Sequence, residues 1–109
     1  MFKPKIKDKI CLETLEEICN KYEPNECSIG IPLEQRVCIC KREDNWEVFI
    51  VEKGYEFDKV IHKECIDACI SVIKYCAYSM DEFKDASNDF INALSSKINV
   101  KKCKIKIKQ

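Results

Sequence analysis

Two glycines and one histidine are all this chain carries of those residues, and both shortages remove whole classes of chemistry. Gly30 and Gly54 stand alone, so no glycine-rich loop is available to cradle a phosphate. With His62 as the single imidazole, any histidine-based acid, base or metal site has only one place to form. No apolar run approaches the roughly 20 residues that a membrane-spanning helix needs, and there is no CxxC pair, internal repeat or long linker. Net charge is missing too, since 19 basic side chains balance 19 acidic ones. Three prolines and few glycines leave long stretches uninterrupted, and 109 residues suffice for one modest core and not two. A single domain over 1–109 is expected.

Cysteine is what the chain has in excess, with nine residues. The count is odd, and the opening MFKPKIKDKICLETLEE lacks the continuous apolar stretch of a secretion signal. Reduced thiols and a cytoplasmic location are therefore expected, with no cofactor and no membrane partner. The zero net charge conceals a division. Residues 1–9 carry +3 and residues 97–109 carry +6, so residues 10–96 hold 9 basic against 18 acidic side chains, a net −9. An acidic body between basic ends favours encounter with a basic partner. Direct nucleic-acid binding is not expected, because such a body repels phosphates and the basic ends lack interleaved aromatics apart from Phe2.

The periodicities describe an α+β domain. Cys11, Leu12, Leu15, Ile18, Cys19 and Tyr22 recur at helical steps after Asp8, a candidate cap, and predict an N-terminal helix ending near Tyr22. Pro24, Gly30 and Pro32 then impose an irregular connection with room for an extended piece at 27–29. Strands are predicted over 36–41, 46–52 and from Tyr55 to Ile61, joined by the turns Glu43-Asp44-Asn45 and Lys53-Gly54 into a three-stranded antiparallel meander. Val37, Cys38, Ile39 and Cys40 make the first of these apolar on both sides, which calls for cover on both faces.

Two further helices are expected to pack on the sheet. The first presents Cys65, Ile66, Cys69, Ile70, Val72, Ile73 and Cys76 as one broad stripe. The second opens at a Ser79/Glu82 capping box and ends near Ser96. Beyond it, KIKIK reads equally as a lysine-guarded C-terminal edge strand or a frayed tail.

Candidate chemistry gathers at His62, Cys65 and Cys69, whose HxxCxxxC spacing at a helix start could bring three metal ligands together or set a thiolate beside an imidazole. Both cysteines also lie on the apolar stripe, and His62 falls at the helix boundary, so core thiols and a boundary histidine are the expected reading. Cys11, Cys19, Cys38 and Cys40 follow packing periodicities as well, whereas Cys27 and Cys103 lie outside them and are expected to be the accessible thiols. No catalytic set emerges, and the chain is expected to bind rather than catalyse.

Trp46, Val48, Glu52, Gly54, Tyr55, Phe57, Ala68 and Cys69 carry a resemblance, across residues 36–77, to the small immunity proteins that accompany bacterial polymorphic toxins, including those of contact-dependent growth inhibition. The resemblance implies a non-enzymatic protein that binds one cognate toxin domain and blocks its active site or an essential surface. Acidic side chains are the expected contacts for a basic, nuclease-like toxin: Glu43, Asp44, Glu47, Glu52 and Glu56 around the meander, with Glu13, Glu16, Glu17, Asp85 and Asp89 as a second group. The other binding class is a thiol- or metal-responsive regulator using His62, Cys65 and Cys69.

Overall fold

A computed structural model describes residues 6–22 and 26–105, with helical backbone alone for 99–105. The elements run α1 (Ile6–Tyr22), β1 (Cys27–Ile29), β2 (Val37–Arg42), β3 (Asn45–Glu52), β4 (Tyr55–His62), α2 (Cys65–Cys76) and α3 (Met80–Ile105). The class is α+β, as the periodicities predict. The sheet differs in one respect: it has four strands in the order β1-β2-β3-β4, and β1 joins β2 in parallel through Cys27↔Val37 and Ile29↔Ile39. It is therefore mixed, and the predicted three-stranded meander is its β2-β3-β4 part.

Parallel neighbours usually need a crossover of a dozen or more residues. Here residues 30–36 make the return. Positive φ at Gly30 (90°) and Gln35 (60°) reverses the chain at either end of that segment. The Gly30 amide donates to the Ile39 carbonyl at 2.8 Å and that of Gln35 to Val51 at 2.7 Å. Glu34 accepts from the amides of Lys53 and Gly54, which fastens the return to the β3–β4 turn. Lys53 and Gly54 both have positive φ (52° and 80°), the requirement of a tight hairpin turn matched to strand twist.

β4 contains a bulge. Val48 pairs with Val60 and Ile50 with Phe57, so Asp58 and Lys59 together stand opposite Phe49, and Asp58 takes φ 53°. The extra residue restores the alternation, placing Phe57, Val60 and His62 on one face. It explains why the apolar positions of this strand step from 57 to 60 in the sequence.

Val37, Ile39, Trp46 and Val48 form the helix-covered face and merge with Cys11, Leu15, Ile18, Ala68, Cys69, Val72, Ala86, Phe90 and Leu94 in one core. α2 lies on β2, β3 and β4, and α1 reaches β1. α3 packs against α1 and α2 rather than on the sheet, contrary to expectation, because those two helices already occupy the apolar face. Two ion-pair clasps hold α1 to α3: Lys21 Nζ meets Asp89 Oδ2 at 2.9 Å, and Lys97 Nζ meets Glu17 Oε2 at 2.8 Å and Thr14 Oγ1 at 3.1 Å. Tyr22 Oη donates to the same Asp89 oxygen.

Helix boundaries depart from the sequence reading in three places. α1 begins at Ile6, leaving Asp8 in its first turn instead of at the cap. The α2 cap position is Glu64, with no side-chain bond, and His62 is the last residue of β4. α3 continues to Ile105, so Lys104 and Ile105 are helical where an edge strand was one of two expectations; residues 106–109 lie outside the described residues. The helical spacing of Phe90, Leu94 and Ile98 carries the helix past Ser96. The Ser79 box forms, with the Glu82 amide donating to Ser79 Oγ at 3.0 Å and the Glu82 carboxylate reaching back to the Tyr78 amide at 2.8 Å.

Leu15 is fully buried where α1 meets the rest of the core. Leu15→Ala is expected to cost about 2–5 kcal/mol of unfolding free energy in urea titration, while Glu13→Ala, on the exposed side of α1, stays within about 0.5 kcal/mol.

Candidate functional site

The face of the sheet turned away from the helices carries its own apolar cluster, Cys38, Cys40, Phe49 and Val51. No helix covers it. The 30–36 return lies over one side, with the Leu33 amide donating to Cys38 Sγ at 3.4 Å. Four charged side chains from β2, β3 and β4 cover the other. Arg42 forms a two-pronged pair with Glu56 (Nη1 to Oε1 2.9 Å, Nη2 to Oε2 2.8 Å) and meets Glu47 at 2.9 Å. Lys59 meets Glu47 at 3.2 Å and Glu56 at 2.9 Å.

Each base in this box contacts both acids, and both bases sit over the Phe49 ring, the Arg42 guanidinium at 4.7 Å and the Lys59 ammonium at 5.5 Å from its centroid. The cations thus bind the negative face of the ring and the carboxylates at once. The hydrogen bonds from Arg42 and then Lys59 push the Glu56 carboxyl down to about 2, and Glu56 in turn raises the Arg42 guanidinium. Burial raises the Cys38 and Cys40 thiols beneath.

The expected acidic contact surface is therefore divided. Glu47 and Glu56 are held by the box. Glu43 and Asp44 are exposed at the β2–β3 turn, and Glu52 is exposed at the β3–β4 turn, separated from them by the length of β3, about 23 Å. On the helices, Glu17 and Asp89 serve the two clasps, while Glu13, Glu16 and Asp85 are exposed.

The His62, Cys65, Cys69 constellation does not assemble. His62 Nε2 lies 2.6 Å from Ser71 Oγ, and Cys65 and Cys69 are buried between α1 and α2, hydrogen-bonding toward the Asp8 and Cys11 carbonyls at 3.8 Å each. The Cys65 thiol is raised despite its hydrogen bond with Cys11, through its bond with Cys69 and burial. Among the described residues no group of three histidine, cysteine or acidic side chains is arranged to hold a metal ion. No described helix is long and apolar enough to cross a membrane.

What the acidic inventory does not contain is the outer edge of β4. This eight-residue strand is last in the sheet order and pairs with β3. Tyr55 is 70% exposed, Phe57 47% and Ile61 57%, and the rings of Tyr55 and Phe57 meet edge-to-face at 6.5 Å. Tyr55 and Phe57 lie on the helix side of the sheet, at the end where Tyr75 of α2 reaches no farther than the Asp58 carbonyl at 2.7 Å. Their alternation was visible in the sequence. Their exposure depends on where α2 stops, which strand periodicity does not encode.

No protein-family model matches the chain, and no curated protein or solved structure matches it either. The likeness to immunity proteins accordingly rests on residues 36–77 alone.

Replacing Arg42 by Met removes the two-pronged pair and one cation over Phe49, and is expected to cost about 1–2 kcal/mol at pH 7. Glu56 has a lowered folded-state pKa, so the stability it supplies is fully present above about pH 5 and is lost as pH falls through about 2. The gap between wild type and variant in urea midpoints should be widest at neutral pH and close on approach to pH 2. A gap independent of pH would assign the effect to packing on Phe49 alone.

Proposed function

We propose that the chain is an immunity-type inhibitor, binding one cognate bacterial toxin domain and neutralising it by steric and electrostatic blocking. The observation that carries this reading is the β4 edge: an outer strand, bulged at Asp58 where the Tyr75 hydroxyl donates to the carbonyl, and flanked by exposed Tyr55, Phe57 and Ile61. Long apolar sheet edges are usually shortened, covered or charged, because they pair with other chains. Here a bulge and charges interrupt the middle of the edge, but the aromatics at its turn end are bare, which suits strand addition by a partner there.

The partner is basic, a nuclease-like toxin domain being the fitting class. The net −9 of residues 10–96 draws such a surface in and speeds encounter, with Glu52 beside Tyr55 and Glu43 and Asp44 at the far turn as free carboxylates. Persistence comes from buried aromatics rather than from exposed ion pairs, so Tyr55 and Phe57 act as anchors and the carboxylates as guides. Residues 36–77, which carry the likeness to immunity proteins, include the whole of this edge. Blocking follows if the added strand, or the face beside it, belongs to the toxin's working surface.

Co-expression with the toxin domain encoded beside this chain is the test. Wild type should restore growth and co-purify with the toxin. The pair Tyr55→Ala and Phe57→Ala should leave thermal stability near wild type and weaken the complex by roughly 30- to 1000-fold, equivalent to about 2–4 kcal/mol. No rescue and no complex with wild type sinks the inhibitor reading, while full affinity in the double variant removes β4 as the contact edge.

A further inference from the structure

At the other end of the sheet order, α1 and β1 enclose a cleft of about 360 Å³ lined by Glu16, Cys19, Asn20, Cys27, Ser28 and Arg36. Two of the cysteines line it together: Cys19, buried on α1, and Cys27, half-buried on β1. Arg36, just before β2, supplies a positive charge in the same cleft. Of the other described thiols, Cys11, Cys65 and Cys69 sit in the main core and Cys38 and Cys40 in the buried cluster on the opposite face of the sheet. Cys27 is thus a partly accessible thiol that shares a cleft with a second thiol, a guanidinium and the Glu16 carboxylate.

We infer that Cys19 and Cys27 form a peroxide-reactive thiol pair that closes to an intrachain disulfide across the α1–β1 cleft. Their roles are unequal. Cys27 is lowered from its ordinary value, first by the hydrogen bond from Cys19 and then, against burial, by Arg36. Cys19 is raised by giving that bond and by burial. Cys27, the more exposed of the two and in one cleft with Arg36, is the attacking sulfur, and the buried Cys19 the resolving one.

As the thiolate, Cys27 attacks one oxygen of a hydroperoxide; an S–O bond forms, the O–O bond breaks, and hydroxide or alkoxide leaves. The Cys19 proton neutralises that leaving group, and the Cys19 sulfur then displaces hydroxide from the Cys27 sulfenic acid, forming the S–S bond; a solvent proton completes water. Two thiols and one hydrogen peroxide become one disulfide and two waters. The sulfurs lose two electrons and the peroxide gains them. Arg36 favours the thiolate at the start and the departing anion afterwards.

Closure fixes the last turns of α1 to the β1 edge strand. Cys76 lies on the far side of Cys19, in a separate small cavity with Ile73 and Ala86, and is the competing partner that the test must distinguish. The pair is remote in strand order from β4, so its chemistry stands independently of the inhibitor reading.

The full chain, reduced and desalted, is alkylated with iodoacetamide under native conditions and mapped by peptide mass. Cys27 should label on the order of tenfold or more faster than Cys11, Cys65 or Cys69. Limiting hydrogen peroxide should yield a Cys19–Cys27 disulfide within one chain, reversed by dithiothreitol and retained in Cys76→Ser. In Cys19→Ser the reaction should halt at a Cys27 sulfenic acid that dimedone traps. Labelling of Cys27 as slow as that of the core thiols overturns the proposal, as does a peroxide product joining Cys19 to Cys76 or one chain to another. Circular dichroism of each serine variant confirms that the fold is retained before either readout is scored.

Discussion

The central pair of strands, β2 and β3, is apolar on both faces, and everything else is arranged around that constraint. Val37, Cys38, Ile39 and Cys40 are four consecutive buried residues. A strand with this pattern needs cover above and below. The helices supply it on one side only, α2 lying directly on the pair with α1 and α3 packed behind it. The other side is covered by the 30–36 return and a box of two cations and two carboxylates over a phenylalanine ring. Charged side chains thus act here as a roof, their stems and planar groups lying on apolar surface while their charges are mutually satisfied.

That roof changes how the acidity of the chain is read. Counted along the sequence, the body is net acidic; in space, many of its carboxylates have structural partners. Glu47 and Glu56 hold the roof, Glu34 holds the β3–β4 turn, and Glu17 and Asp89 bind α3 to α1. Those left exposed are scattered over two sheet ends and two helices. A scattered field guides encounter from a distance but cannot by itself fix a partner. For that, apolar contact is required, and the exposed aromatics of β4 are the surface we propose for it.

Features set by near neighbours were legible in the sequence: α1, the hairpins, the Ser79/Glu82 box, and the demand that β2 be covered twice. Features set by the register between strands were not. Arg42 and Glu56 are fourteen positions apart, and Lys59 joins them on that face because the Asp58 bulge sets it opposite Phe49. That bulge uses an aspartate, not a glycine, for its positive φ, so no residue type announced it. β1 was noticed as an extended piece, but three residues carry no sign of parallel pairing. Lys104 and Ile105 alternate like a strand and are helical, because the apolar spacing of α3 upstream of them outweighs a short local pattern. Of the proposed thiol pair, Cys27 was expected to be accessible and is half-buried, while its sharing a cleft with Cys19 depends on how α1 lies against β1.

The clasp between α1 and α3 has a consequence for the order in which the chain comes together. Every strand pairs with its neighbour in sequence, and the longest connection between paired strands is the 30–36 return, so the sheet closes only small loops. Lys21 and Asp89 are 68 positions apart, and Thr14 and Lys97 are 83. The entropy of closing the whole polypeptide is thus concentrated in one docking event, the meeting of the first helix with the last. Cooperativity between the two ends rests on that contact, and a sheet formed earlier would wait, with its helix face half-covered by α2, until α1 arrives.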